Sequence, residues 1–142
     1  MNTAKYWISL AGLMTLSSAA MAAFDGSQSL LCATQAVHEC VVGEHCEFVS
    51  PESVNVPDFF VVDAGKGIIE GSGRQTTIER AESLDGKLIL QGADDGMKDV
   101  RDGLGWSMVI DDTTGKMSHT GAGDGFAVVV FGACMERSWG DA

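Results

Sequence analysis

The chain has 142 residues, a formal net charge of −11, 45% hydrophobic residues and four cysteines. That length suits one domain with one modest core, and so acidic a balance excludes a surface that attracts nucleic acid or anionic lipid. It favours solubility and, among partners, small molecules or cationic proteins.

The first element is N-terminal. Lys5 precedes the apolar run Tyr6–Met14, and small residues come next, ending in Ala20-Met21-Ala22, an A-x-A cleavage site. This pattern predicts a secretory signal peptide over residues 1–22, too short in its apolar core to cross a bilayer of about 30 Å. No second apolar run occurs, so no membrane span is expected. Cys32 comes after Leu31 rather than a small residue, which argues against a lipoprotein anchor. Cleavage leaves residues 23–142 as a single domain in a periplasmic or secreted, oxidising setting.

Asp25-Gly26-Ser27-Gln28 reads as a helix start, with Asp25 as N-cap and Gln28 three residues on. Leu30, Ala33, Thr34, Val37 and Val41 recur at helical spacing, and Gly43 suits the exit. The spacing therefore predicts a helix, with a strand carrying Leu31, Ala33 and Val37 on one face as the competing reading.

Cys32, Cys40, Cys46 and Cys134 form an even set, which predicts disulfides. Eight residues separate Cys32 from Cys40, about 12 Å in a helix or 26 Å in a strand, whereas a disulfide needs Cα atoms within about 7 Å. With that pair excluded from a regular segment, the preferred pairing is Cys40–Cys46, closing a small loop around Gly43, and Cys32–Cys134, joining the ends of the domain.

From Cys46 onward, short apolar runs alternate with turn residues. The runs are Cys46–Ser50, Phe59–Asp63, Gly67–Gly71, Thr76–Ala81, Lys87–Gly92, Trp106–Asp111, Lys116–Gly121 and Phe126–Cys134. Asp-Gly and other glycine-containing links between them, such as Asp85-Gly86, are hairpin turns in which the central residues reach positive φ. The expected fold is mainly β: an N-terminal helix and then an antiparallel meander of about eight strands, closed as a barrel or strongly curved, calycin-like in outline. No link is long enough for a crossover helix, which argues against α/β architecture. Two stretches break the rhythm. Pro51–Pro57 is a rigid, non-helical connection bounded by both prolines, and Ala93–Gly105 is an acidic, glycine-containing loop expected at a barrel mouth.

Chemistry-bearing motifs are sparse. The chain has no G-x-S-x-G, H-E-x-x-H, S-x-x-K or P-loop, its single tyrosine lies in the leader, and paired cysteines are poor nucleophiles. No enzyme and no cofactor is implied. The acidic loop lacks the alternating ligands and distal glutamate of an EF-hand, so Asp94, Asp95, Asp99 and Asp102 read as solvated. His38-Glu39-Cys40 and Glu44-His45-Cys46 would suggest zinc in a reducing compartment. After export they read as charged residues flanking a disulfide. No metal site is assigned.

Two resemblances add to this. The stretches SLLCATQAVHEC, PESVNVPDFF, GKLILQG and WSMVIDDTTG, with FAVVVFGAC near the C-terminus, resemble small exported bacterial β-rich proteins of no assigned function. Ser72-Gly73-Arg74 resembles the loop of periplasmic inhibitors of C-type lysozyme. Those are small disulfide-bonded, eight-stranded barrels that insert a Ser-Gly motif and basic side chains into the lysozyme cleft. The tyrosine of that motif has no counterpart here.

The expected function is that of an exported, non-catalytic binding protein with a small apolar or amphipathic ligand at the barrel mouth. Trp106, which opens the strand after the acidic loop, and Asp94 and Asp95 are the candidate ligand-binding residues. The alternative is a protein-interaction module, such as an inhibitor of a basic secreted enzyme, acting through Ser72 and Arg74. A small or polar interior would favour the first reading. A core filled by Phe59, Ile69, Leu88, Val128 and Val130 would favour the second.

Overall fold

Residues 24–96, 99 and 102–137 are described by the computed structural model. The signal-peptide reading falls on residues 1–22, outside them. Ten strands carry the described chain: β1 (Leu30–Val41), β2 (Glu47–Val49), β3 (Phe59–Asp63), β4 (Ile68–Gly71), β5 (Arg74–Thr77), β6 (Arg80–Leu84), β7 (Lys87–Asp94), β8 (Leu104–Asp111), β9 (Lys116–Ala122) and β10 (Phe126–Glu136). All pairings are antiparallel, in the order β5-β4-β3-β1-β10-β9-β8-β7-β6, with β2 added to β1.

The sheet curls into a barrel-like shape because its two edge strands are consecutive in the chain. β5 passes into β6 through Ile78 and Glu79 alone. The Ile78 amide donates to the Gly67 carbonyl next to β4, and the Glu79 amide donates to Gln91 on β7. The run expected as one strand, Thr76–Ala81, is thus two strands meeting at a bend. Both tight turns flanking it have two consecutive residues at positive φ, Ser72-Gly73 and Asp85-Gly86, the geometry that matches strand twist.

The expected N-terminal helix is absent: Leu30–Val41 is a strand, the longest in the sheet. Its register with β10 shifts between Thr34 and Ala36, leaving Gln35 as the extra residue of a bulge. The bulge switches parity. Leu30 and Cys32 are buried before it, Val37 after it, so the apolar residues never show a single period of two. Their spacing imitates a helix for that reason. β1 is also clamped on both sides, by β10 along its length and by β3 and β2 on the other edge, a set of partners that helix propensity cannot outweigh. Asp25, expected as an N-cap, instead caps a turn by accepting from the Ser27 amide.

Both disulfides form as expected. Cys32–Cys134 links directly opposed residues of β1 and β10 in the core, and Cys40–Cys46 closes the β1–β2 loop. Two such bonds fit an oxidising, extracellular or periplasmic environment. No helix among the described residues is long and apolar enough to cross a membrane.

The core fills one end of the barrel. Leu30, Val62, Leu90, Met108 and Ile110 are at most 1% exposed, and Leu88 and Met117 pack with them. Of the five residues whose packing would favour the interaction-module reading, Ile69, Leu88 and Val130 are buried and Val128 partly so. Phe59 is not: it is exposed, as are Phe48, Phe131 and Met135, while its neighbour Phe60 turns inward.

Candidate functional site

At the other end of the barrel the inward rows carry smaller or polar residues, and the interior stays open. Across the sheet, Glu39 on β1 opposes Val128 on β10, which opposes Gly121 on β9, which opposes Trp106 on β8, which opposes Gly92 on β7. With glycine on both sides of Trp106 there is room for the indole and for a void beside it. The void is a cavity of about 310 Å³, within the range of small-molecule sites. Phe60, Ile69, Met108, Val128 and Val130 form its apolar walls.

Its lining includes the Pro51–Pro57 connection, the β4–β5 hairpin, and Asp94 and Leu104, which pair at the ends of β7 and β8 although the sequence reading placed them in a loop. Pro51–Val54 forms a short 3-10 turn, a helical element in a segment expected to be non-helical. Pro51 stands at the start of the turn, where a missing N–H costs nothing, and Ser50 caps it by accepting from the Ser53 amide. The bulge in β1 anchors the chain beyond this turn: the Thr34 hydroxyl donates to the Pro57 carbonyl at 2.7 Å, and the Thr34 amide to the Asp58 carbonyl at 2.8 Å. Val54, Val56 and Pro57 are thereby held against the opening. The bulge that hides the strand in the sequence thus sets one wall of the site.

Trp106 lines this cavity, and so do Asp94, Ser72 and Arg74. Residues assigned from sequence to two different functions therefore surround one opening. Asp95 is exposed and does not line it. Asp94 accepts from the Gly96 amide at 2.9 Å, which fixes its carboxylate at the rim.

Two lining residues escape the sequence reading, which places Glu39 beside a disulfide and gives His119 no role. Both occupy inward positions of alternating strands, Glu39 in phase with Val37 and His119 in phase with Met117. A polar side chain at an inward position is the signal that marks them. His38, one residue from Glu39, points to the opposite face and packs edge-on against Phe48 and Phe131. Among the described residues no three His, Cys, Asp or Glu side chains are grouped to hold a metal ion.

Trp106 is 6% exposed, and its ring meets that of His119 edge-on, with centroids 5.7 Å apart and planes at 86°. Trp106 Nε1 and His119 Nε2 are both buried and both without a hydrogen-bond partner. A buried polar group left unpaired costs about 1–3 kcal/mol, and both atoms are closed off from solvent and from the cavity. Burial pushes the His119 imidazole down to about 4, which keeps it neutral at neutral pH.

Compared with family models, with curated proteins and with solved structures, the chain finds no match.

Proposed function

We propose that this is an exported binding protein that holds a small amphipathic molecule inside the open end of the barrel. The observation that carries the reading is the cavity of about 310 Å³, apolar in its walls and with Glu39, Asp94 and Arg74 among its lining residues. An empty apolar void would be a plain packing defect. A pocket with apolar walls and a few polar and charged side chains around them is the usual form of a small-molecule site.

Native mass spectrometry of the protein purified from its own host tests this directly. The expected spectrum shows a bound species that is lost on denaturation. The reading fails if the protein arrives empty and no amphiphile shifts its tryptophan emission, with Trp106→Phe and Trp139→Phe assigning the signal.

A second reading has its own observation. Ser72-Gly73 is an exposed turn at the same rim, leading into an exposed Arg74. In that reading the hairpin tip enters the cleft of a basic secreted enzyme, as the resemblance to lysozyme inhibitors implies. Inhibition of a C-type lysozyme that Arg74→Ala abolishes would favour it, and an intact lysozyme rate at saturating protein would remove it.

A further inference from the structure

We propose that the outer wall of the barrel along β1 is a docking surface for a second copy of this chain, independent of the cavity.

Alternation and register build the surface. Leu30 and Cys32 turn inward before the bulge and Val37 after it, so Leu31, Ala33 and His38 lie on the outer face. On one edge of β1, Met135 of β10 opposes Leu31 and Phe131 opposes Ala36. On the other edge, Phe59 of β3 opposes Ala33 and Phe48 of β2 opposes His38. Large apolar side chains therefore flank β1 on both sides, and His38 meets Phe48 and Phe131 edge-on. They form a stripe along the strand from Leu31 to His38, on the order of 20 Å long. The charged residues of β1 and β10 are Glu39 and Glu136, each in phase with a buried neighbour, Val37 and Cys134. A chain of net charge −11 thus keeps its acids off this wall.

The exposed area is large for a free surface. Phe48, Phe59, Phe131 and Met135 are 69, 65, 47 and 62% exposed. At about 200 Å² for a large side chain, they leave on the order of 500 Å² of apolar surface in water, as much as the largest patch on an ordinary monomer. Two copies would cover about 1,000 Å² through these side chains alone, and half-exposed Leu31, Val61 and Val129 bring the total to the low end of specific interfaces.

Shape and charge select the occupant. Two convex barrels lying side by side touch along a line, and the stripe is such a line. A cationic partner finds no carboxylate on it, whereas a second copy brings a matching uncharged stripe. An interface of this size between like-charged bodies is reversible. At the low micromolar concentrations of a denaturant titration the copies are apart and Phe59 meets solvent. At hundreds of micromolar they pair.

Sedimentation equilibrium of residues 23–142, from about 5 to 500 μM in 0.1 M and in 1 M sodium chloride, tests the proposal. The expected result is a reversible dimer that associates at least about threefold more tightly in 1 M salt, where the Debye length shrinks from about 10 Å to 3 Å and screens the acidic bodies from each other. Phe48→Asp and Phe131→Asp place a charge on the stripe and are each expected to weaken pairing about tenfold or more. Leu84→Asp, on exposed β6 outside the stripe, should leave it unchanged. Dilution of the unmodified protein should also shift the Met135 methyl resonance, so the test stands even if a variant fails to fold.

A monomer at 500 μM in 1 M salt, with that resonance fixed on dilution, overturns the proposal. So does a dimer that Leu84→Asp dissolves and Phe131→Asp does not. If pairing begins only when residues 138–142 are removed, the chain's own tail covers the stripe and the proposal falls. It falls equally if the protein stays monomeric yet sediments with phosphatidylcholine vesicles and loses that binding in Phe131→Asp, the mark of a lipid surface.

Discussion

Gly92 on β7 lies directly opposite Trp106 on β8, and a methyl group placed on it would overlap both the Trp106 ring and the Thr77 carbonyl oxygen. The glycine is therefore a seat for the indole and also the point where the β5–β6 bend crosses close to β7. One neighbour is backbone, so the clash cannot be relieved by a rotamer change. Gly92→Ala is expected to cost about 1–3 kcal/mol, as overpacked cores do. Its tryptophan emission should move as the ring is displaced toward the cavity. An unchanged urea midpoint with unchanged emission would show that the backbone there yields freely.

The two disulfides should contribute unequally. Cys32 and Cys134 are 102 residues apart in sequence and buried, whereas Cys40 and Cys46 are six apart and close a surface loop. Loop-closure entropy values the first at about 4–5 kcal/mol and the second at about 2 kcal/mol. Replacing both cysteines of each pair by alanine, and comparing denaturant midpoints, checks this. Equal losses would mean that the ends of β1 and β10 stay associated in the unfolded chain.

Stability should decline with acid in a window set by His119. Its folded-state value is about 4, below the ordinary 6.5, because burial opposes the charged form. Below about pH 6.5 the unfolded chain takes up a proton that the folded protein refuses, so stability is complete above that pH and falls until about pH 4, by up to about 3 kcal/mol. The carboxylates act lower. Asp63 is held at about 2, chiefly by Lys66 and then by Ser29, and Asp111 well below the usual range, chiefly by Lys87, so their contributions are lost only under about pH 3.8. His119→Gln should flatten the upper window and leave the lower one. Matching slopes between pH 4 and 6.5 in both proteins would contradict this assignment.

Adjacent phenylalanines on β3 give a test of facing. Phe60 is 5% exposed and Phe59 is 65% exposed. Phe60→Ala is expected to cost about 3–5 kcal/mol, and Phe59→Ala about 0.5 kcal/mol or less. Comparable costs would mean that the exposed outer face around Phe59, Phe48 and Phe131 is covered by a partner or a second copy in solution.

The sequence by itself determined the class of fold and most of its strands. Alternating runs and Asp-Gly turns depend on two local facts, that a strand's side chains alternate and that tight hairpins need positive φ, and both are readable within ten residues. The cysteine pairing was legible in part: the rise of any regular segment keeps Cys32 from Cys40, which removes one of three pairings, and the short Cys40–Cys46 loop was the preferred choice between the other two. Only the tertiary structure decided β1, because the bulge at Gln35 shifts its buried positions from even to odd and three partner strands hold it extended. It likewise decided the site. Glu39, Ser72, Asp94, Trp106 and His119 come from five separate strands and turns, and sheet register alone brings them around one cavity. Register is a relation between distant segments, set by which faces bury together, and no local pattern in the chain encodes it.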